Sequence, residues 1–372
     1  MQPTPRVLRF FLGANTPQGF VSRFDQLGSP ADDWRLYVIK GGPGSGKSTM
    51  MKRVAEALSG GCDTVELIHC SSDADSLDGV ILPRHKISIA DGTPPHPIEP
   101  RYPGAYETIV PVCSCWDADR LFARRYEVME AANAVSSCHE YCVRFLTAAG
   151  SLLADTYRMA LEVTDTAKIA RYAASFAARE LGRPAVYRPK ESVRFLSAVT
   201  NKGPTLFSET ASALASRIYF IDDEYGAASR LLLAALRSHA LKAGFEVVSC
   251  YCPLAPYDKL EHLFIPEAGL GLMTSNRFHS INLAPQRTIH ARRFCDIDHL
   301  KLRKKRISFN SRGAAQMLEQ AAALLAEAKA KHDKLERFYI EAADFARVDA
   351  MTSDLVDAIR RNIAGDSLHA AG

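Results

Sequence analysis

The sequence predicts an α/β protein with two tandem three-layer cores, each followed by a long helical hairpin. Three observations lead to this fold class. The 372 residues exceed one ordinary core, short apolar strands alternate with a helix, and the first half of the chain returns in the second half. With 47% hydrophobic and 24% charged residues, the composition is that of an ordinary globular protein.

The repeat appears as matching segments at a nearly constant offset. Residues 35–39 return as residues 217–221 at an offset of 182. After one inserted residue the offset is 183, so that Pro83 pairs with Pro266 and His96 with His279. A tandem duplication accounts for these matches. The two repeats are expected to pack as an internal pseudo-dimer.

The repeat sets the predicted domain boundaries. The first domain covers residues 1–182, with a core over about 1–116 and a helical hairpin over about 117–182. Residues 183–192 contain two prolines and four charges and are predicted to form a linker. The second domain covers residues 193–372, with a core over about 193–295 and a hairpin over about 296–365.

Within the first core, apolar and β-branched residues predict the order of strands and helices. Residues 35–39 form a strand, residues 47–58 a helix, and residues 65–70 and 87–90 two further strands. Strand, helix, strand, strand in this order indicates a mainly parallel sheet.

A glycine-rich segment, GGPGSGKS at residues 41–48, lies between the first strand and the helix. It fills the pattern G-x-x-x-x-G-K-[ST], in which glycines let backbone N–H groups surround a phosphate at a helix N-terminus. The alternative is a glycine-rich turn that fits the pattern by chance. The residues predicted to bind the nucleotide are Gly41, Gly42, Pro43, Gly44, Ser45, Gly46, Lys47, Ser48 and Thr49.

Three side chains have predicted roles at this loop. Lys47 would reach the β and γ phosphates, and the Ser48 hydroxyl would bind Mg²⁺. Asp91 ends an apolar strand, where a Walker B carboxylate would hold a magnesium-bound water. A turn aspartate before Gly92 is the alternative. The predicted cofactors are therefore ATP and Mg²⁺, with Ser48 and Asp91 at the metal.

A polar loop follows the second predicted strand. Asp73, Asp75 and Asp78 lie in it and are candidates for orienting a water or a substrate hydroxyl. Asp73 and Asp75 thus join Lys47 and Asp91 as candidate catalytic residues; turn-forming aspartates in solvent are the alternative. No glutamate follows Asp91, so a water-activating residue must come from elsewhere.

The second repeat does not retain the glycine pattern. An offset of 182 aligns Gly41 with Asp223, Gly46 with Ala228, Lys47 with Ser229 and Ser48 with Arg230. Asp91 is likewise replaced by Thr274. Acidic residues and the missing lysine would disfavour a polyphosphate, so the second core is predicted to be a degenerate copy.

Five segments of the first repeat carry a resemblance: NTPQGF, GGPGSGKST, HCSSDADSLDGV, ADGTPPH and YPGA. They resemble a little-characterised bacterial family of tandem-repeat P-loop ATPases, and the resemblance covers nearly the whole chain. It implies P-loop NTPase-like cores and an ATPase-type nucleotide-binding protein, with residues 41–49 and Asp91 as nucleotide motifs. The second repeat departs from it, because YFIDDEYGAASRLL is not a Walker A motif.

Three functions remain open. The first is an Mg-dependent ATPase coupled to an unknown partner or process, with the helical hairpins as a possible protein-binding surface. The second is a small-molecule or nucleotide kinase that uses the loop at residues 73–78 for its substrate. The third is a nucleotide-dependent scaffold with little turnover. ATP is favoured over GTP because Asn201-Lys202-Gly203-Pro204 lacks the aspartate that pairs with guanine.

Composition and termini predict a cytoplasmic protein. The N-terminus lacks the apolar run of a signal peptide, and no stretch approaches 18 uncharged apolar residues, so no membrane association is expected. Nine cysteines, an odd number, suggest reduced thiols. The net charge of +4 is too small to indicate nucleic-acid binding.

Overall fold

The computed structural model describes residues 5–60, 62–278 and 281–369; His279 lies outside them. The strands are β1 (Arg6–Phe10), β2 (Gly13–Thr16), β3 (Gly19–Ser22), β4 (Arg35–Ile39), β5 (Thr64–His69), β6 (Leu77–Leu82), β7 (Ile87–Asp91), β8 (Glu107–Val110), β9 (Lys190–Arg194), β10 (Ser197–Thr200), β11 (Gly203–Leu206), β12 (Arg217–Asp222), β13 (Glu246–Tyr251), β14 (Leu260–Ile265), β15 (Leu270–Ser275) and β16 (Arg287–His290). The helices are α1 (Lys47–Ser59), α2 (Ala118–Ala123), α3 (Arg125–Leu161), α4 (Thr166–Glu180), α5 (Ser208–Leu214), α6 (Ala227–Ala243), α7 (Ile297–Lys301), α8 (Lys304–Ala342) and α9 (Phe345–His369).

Two six-stranded sheets form the cores, and both have the same topology. The first sheet has the order β1-β5-β6-β7-β4-β8, and the second has the order β9-β13-β14-β15-β12-β16. Each strand of the first sheet thus has a counterpart at the same place in the second. The predicted α/β class and the pair of similar cores followed by long helices are confirmed.

The sheets are mixed: the prediction of a mainly parallel sheet holds except for β6 and its counterpart β14, which run antiparallel to their neighbours. β4 runs parallel to β7 and β8, but β6 runs antiparallel to both β5 and β7. β6 is buried along its whole length although it contains Asp78 and Gly79. In the sequence these residues continue a run of aspartates and serines, and that composition suggested a loop. Asp78 is therefore a strand residue and does not belong to the polar loop.

The chain divides into two compact units, and each unit contains segments from both repeats. The first unit contains residues up to 9, residues 24–139 and residues from 326 onward. The second contains residues 10–23 and 140–325. The predicted domains, 1–182 and 193–372, follow the duplication in the sequence, whereas the units follow the packing of the chain.

Helix α9 explains the composition of the first unit. Its buried residues Val348, Leu355 and Ile359 share one hydrophobic cluster with Met50 and Val54 of α1. The core that carries the glycine loop is therefore completed by the last helix of the second repeat. Burial of these side chains removes apolar surface from water, the main favourable term in folding.

Helix α4 has the corresponding place in the second unit. Ile169, Ala173 and Phe176 of α4 pack into a cluster with Leu232 and Leu236 of α6. A helix of the first repeat thus completes the core of the second repeat. The exchange is reciprocal, as expected for a duplicated chain in which equivalent helices have equivalent partners.

The boundaries of the tails follow capping residues. Asp117, Asp165 and Asp296 accept hydrogen bonds from backbone N–H groups at the starts of α2, α4 and α7. Residues 183–189 are irregular, but β9 begins at Lys190 and pairs with β13, so the predicted linker at 183–192 ends earlier than expected. None of the helices in the described parts of the chain has the length and apolar character required to cross a membrane.

Candidate functional site

The glycine loop connects β4 to α1 in the first unit. Gly44 and Gly46 have φ values of 65° and 84°, a left-handed conformation that a side chain with a Cβ rarely adopts. Gly46 is the N-cap of α1, so the loop leads directly into a helix N-terminus. The partial positive charge of that end favours an anion in the loop.

The side chain of Lys47 contacts the backbone of the loop. Its Nζ donates to the carbonyl oxygens of Gly41 at 2.9 Å and Gly42 at 2.7 Å. It is also 3.4 Å from Oδ2 of Asp91, and both side chains are largely buried, at 11% and 13% exposure. The ammonium group is thus held at the entrance of the loop by three oxygens.

The sheet register brings Asp91 to the loop. Ile39, the last residue of β4, pairs with Asp91, the last residue of β7. Thr93 fixes the carboxylate, since its N–H and its hydroxyl donate to Oδ1 at 2.9 and 2.6 Å. Oδ2 is left facing Lys47. The predicted proximity of Lys47 and Asp91 is therefore present in the structure.

His96 forms a hydrogen bond to the backbone of Asp91. Its Nδ1 donates to the backbone carbonyl of Asp91 at 3.0 Å, and its Nε2 lies 3.4 Å from Oδ2 of Asp78. Burial lowers the pKa of His96, but the hydrogen bond and charge of Asp78 and the charge of Asp91 outweigh it, so the pKa is raised. Phe24 stacks on the ring at 4.5 Å.

The remaining predicted loop residues have different surroundings. Ser48 Oγ accepts a hydrogen bond from the N–H of Leu77 at 3.0 Å. Ser45 is buried and donates to the carbonyl of Gly42 at 2.8 Å, which tightens the turn. Pro43 is half-buried, whereas Thr49 is exposed on α1. The oxygen donors of Ser48 and Asp91 suit Mg²⁺, a cation that prefers oxygen ligands.

The other two candidate catalytic aspartates do not converge on Lys47 in the same way. Asp73 Oδ2 lies 3.6 Å from Nζ of Lys329 on α8, and Asp73 Oδ1 accepts from the N–H of Asp75. Asp75 is exposed, and its carbonyl accepts from Lys52. The turn geometry matches the alternative interpretation of these aspartates.

Helix α8 places two side chains on the loop that no sequence pattern indicated. Oε1 of Glu336 accepts a hydrogen bond from the N–H of Gly44 at 3.2 Å. A Cβ on Gly42 would lie 2.8 Å from the ring of Tyr339, which itself packs edge-on against Trp116 at 5.2 Å. Glu336 is 292 residues from Gly44 along the chain. No local pattern links positions so far apart.

A polar group surrounds Glu336 on the same helix. Nδ1 of His332 lies 3.6 Å from Glu336 Oε1, and Lys329 forms ion pairs with Asp333 and Asp73. Burial lowers the pKa of His332. The charge of Glu336 opposes this effect, whereas the positive charges of Lys329 and, more weakly, Lys47 lower the pKa further. The ligand atoms of His332, Asp333 and Glu336 lie within 4.8 Å of one another, and Lys329 neutralises the Asp333 carboxylate.

The equivalent loop of the second repeat is closed by its own aspartate. The Asp223 carboxylate accepts from the N–H groups of Tyr225, Gly226 and Ser229 at 3.1, 3.0 and 2.8 Å. Asp223 is 4% exposed. The amides at the N-terminus of α6 are therefore already satisfied by a carboxylate.

The structure also corrects the alignment of the two loops. Gly226 is the N-cap of α6, as Gly46 is of α1. Gly46 follows Ile39 by seven residues, but Gly226 follows Ile221 by five, so the second loop is two residues shorter. Gly46 thus corresponds to Gly226, and Lys47 to Ala227. The match of Asp91 with Thr274 is retained, because Asp91 pairs with Ile39 in the first sheet and Thr274 pairs with the equivalent Ile221 in the second.

Comparisons of the chain with protein family models, with curated proteins and with solved structures found no match. The residues of the first loop and their geometry therefore carry the functional assignment.

Proposed function

We propose that the chain binds ATP with Mg²⁺ at residues 41–49 and hydrolyses it, with a P-loop NTPase-like first core as the working site. The proposal is carried by one observation: Nζ of Lys47 lies 3.4 Å from Oδ2 of Asp91, beside a glycine loop that leads into the N-terminus of α1. Lysine, loop amides and helix dipole together favour a polyphosphate.

The chain's own residues have separate tasks in this proposal. Lys47 exchanges its carbonyl partners, Gly41 and Gly42, for phosphate oxygens and stabilises negative charge that develops during transfer. Ser48 and Asp91 would hold Mg²⁺, directly and through water, and the ion would neutralise the phosphates. Thr93 and His96 keep Asp91 oriented.

Hydrolysis is preferred to phosphoryl transfer to a second substrate. Asp73 is paired with Lys329, and Asp75 is exposed, so neither carboxylate is placed as a base beside Lys47. These two carboxylates were the candidates for accepting the proton of a kinase's acceptor hydroxyl. Cytoplasmic location and a protein partner for the long helices remain part of the proposal.

Phosphate release from Mg-ATP without an added acceptor tests the proposal. The wild-type protein should release phosphate, and Lys47→Ala should lower the rate by about 100-fold or more, the effect expected for a charge that stabilises the transition state. Lys242→Ala, which removes an exposed lysine at the end of α6, should leave the rate unchanged. Equal rates for Lys47→Ala and wild type would refute hydrolysis at this loop.

A further inference from the structure

Helix α8 lies directly against the glycine loop. A Cβ on Gly44 would be 2.9 Å from the backbone oxygen of Glu336 and 3.0 Å from its Cβ. The Glu336 carboxylate accepts the Gly44 N–H hydrogen bond. A loop amide that is predicted to face a phosphate oxygen thus faces a carboxylate oxygen of the chain itself.

The second repeat shows how a built-in carboxylate satisfies such amides. Asp223 belongs to the loop that it closes, is buried, and accepts three backbone hydrogen bonds. Glu336 comes from a separate helix, accepts one such bond, and its side chain is 32% exposed. The two loops share the same kind of partner, but the bond to Glu336 is the easier one to break.

We propose that Glu336 is a latch on the phosphate site: its carboxylate occupies the Gly44 amide and must leave when the nucleotide binds. The inference rests on the proposed function, because the competing anion is the phosphate chain of Mg-ATP. A carboxylate and a phosphate oxygen that approach the same N–H compete for it, and their like charges repel. Nucleotide binding is therefore coupled to displacement of α8 from the loop.

The neighbouring contacts define the closed state of the latch. In the closed state, Tyr339 covers Gly42 and packs on Trp116, while Lys329 holds Asp73 and Asp333. His332 faces Glu336, and Lys47 lies near enough to affect the His332 pKa.

Calorimetric titration with Mg-ATP tests the latch. Glu336→Ala removes the competing carboxylate and Glu336→Gln removes its charge, so both should bind Mg-ATP more tightly, by about tenfold for alanine, within the range usual for coupled sites. Glu319→Gln changes an exposed glutamate of the same helix and should bind like wild type. Circular dichroism checks that all variants are folded.

Tryptophan fluorescence tests the movement. The chain has two tryptophans, so a Trp34→Phe background leaves Trp116, which contacts Tyr339, as the reporter. Its emission should change when Mg-ATP is added and should already be shifted in Glu336→Ala.

The outcomes separate the latch from the proposed function. Wild-type binding with equal or weaker affinity in both Glu336 variants would overturn the latch and leave nucleotide binding in place. Slower phosphate release at unchanged affinity would also overturn it, because Glu336 would then act in the reaction. No heat with wild type or with any variant would overturn the proposed function and the latch together.

Discussion

Single residues decide which of the two loops remains suited to a phosphate. The first loop has Lys47, and its Gly44 amide bonds a carboxylate from α8, whereas the second loop has no lysine at this place and contains Asp223. An acidic side chain with three backbone hydrogen bonds satisfies the donors that an incoming anion would need. The effect is local and requires no change in the surrounding sheet, since both sheets have one strand order.

Asp91 offers a test of the metal role. Asp91→Asn keeps the shape and an oxygen for Thr93 but removes the charge beside Lys47, the charge that we propose to act at Mg²⁺. We expect the Mg²⁺ concentration needed for half-maximal phosphate release to rise by about 10 to 100-fold, as for other groups that orient metal-bound ligands. A magnesium titration of the activity measures this. An unchanged requirement would remove Asp91 from the metal site.

His96 gives a pH-dependent contribution to stability. Its pKa is raised in the folded protein by Asp78 and Asp91 in spite of burial. Its contribution is therefore complete below the unfolded pKa of about 6.5 and is lost as the pH rises through the folded value. The difference in unfolding free energy between wild type and His96→Asn should shrink over that rise. Urea titrations at several pH values measure it, and a constant difference would contradict this ionisation.

At the residue scale, much of the site could be predicted from the sequence. Glycines, Lys47 and Ser48 are contiguous, and Asp91 ends a recognisable strand. Thr93 could also have been found, because Asp-Gly-Thr favours a side-chain turn. Glu336 and Tyr339 could not, since they reach the loop only through tertiary packing.

At the scale of elements, local patterns predicted the strands at residues 35–39, 65–70 and 87–90 and the helix at 47–58, but not the antiparallel strand β6. The strand at Arg35–Ile39 and the start of α1 were found, because β-branched runs and a glycine-to-lysine helix start are local signals. β6 was missed because burial of Asp78 depends on its partner His96. A charged residue in a buried strand is explained by its ion pair, which local sequence does not reveal.

The packing of α9 on α1 predicts a large effect of one buried side chain. Ile359 is fully buried in the cluster of the first unit. Ile359→Ala should lower the free energy of unfolding by about 2 to 5 kcal/mol, through lost burial and a cavity. Urea denaturation measures the change. Asp354→Ala, at an exposed site on the same helix, should change it by less than about 0.5 kcal/mol; equal effects of the two would contradict this packing.

At the scale of the whole molecule, the sequence revealed the duplication but not the exchange of helices. The apolar faces of α4 and α9 fit either of two similar cores, so periodicity alone does not assign a partner. The structure assigns α4 to the core of the second repeat and α9 to the core of the first. Domain boundaries drawn from the repeat therefore differ from the compact units.

This exchange predicts the behaviour of an isolated first repeat. A fragment of residues 1–182 lacks α9 and leaves the buried faces of Met50 and Val54 on α1 in water. We expect it to lack a cooperative thermal transition or to bind a hydrophobic dye, as a core without its covering helix would. Circular dichroism and dye fluorescence measure both. A cooperative transition at the melting temperature of the full chain would contradict the assignment of α9.

A calorimetric titration of the full chain with Mg-ATP tests most directly whether residues 41–49 bind a nucleotide. We expect one saturable site per chain, because Asp223 closes the second loop, and we expect Lys47→Ala to abolish the heat while Lys242→Ala preserves it. No heat from the wild-type protein, or the same isotherm from Lys47→Ala, would contradict a nucleotide site at this loop.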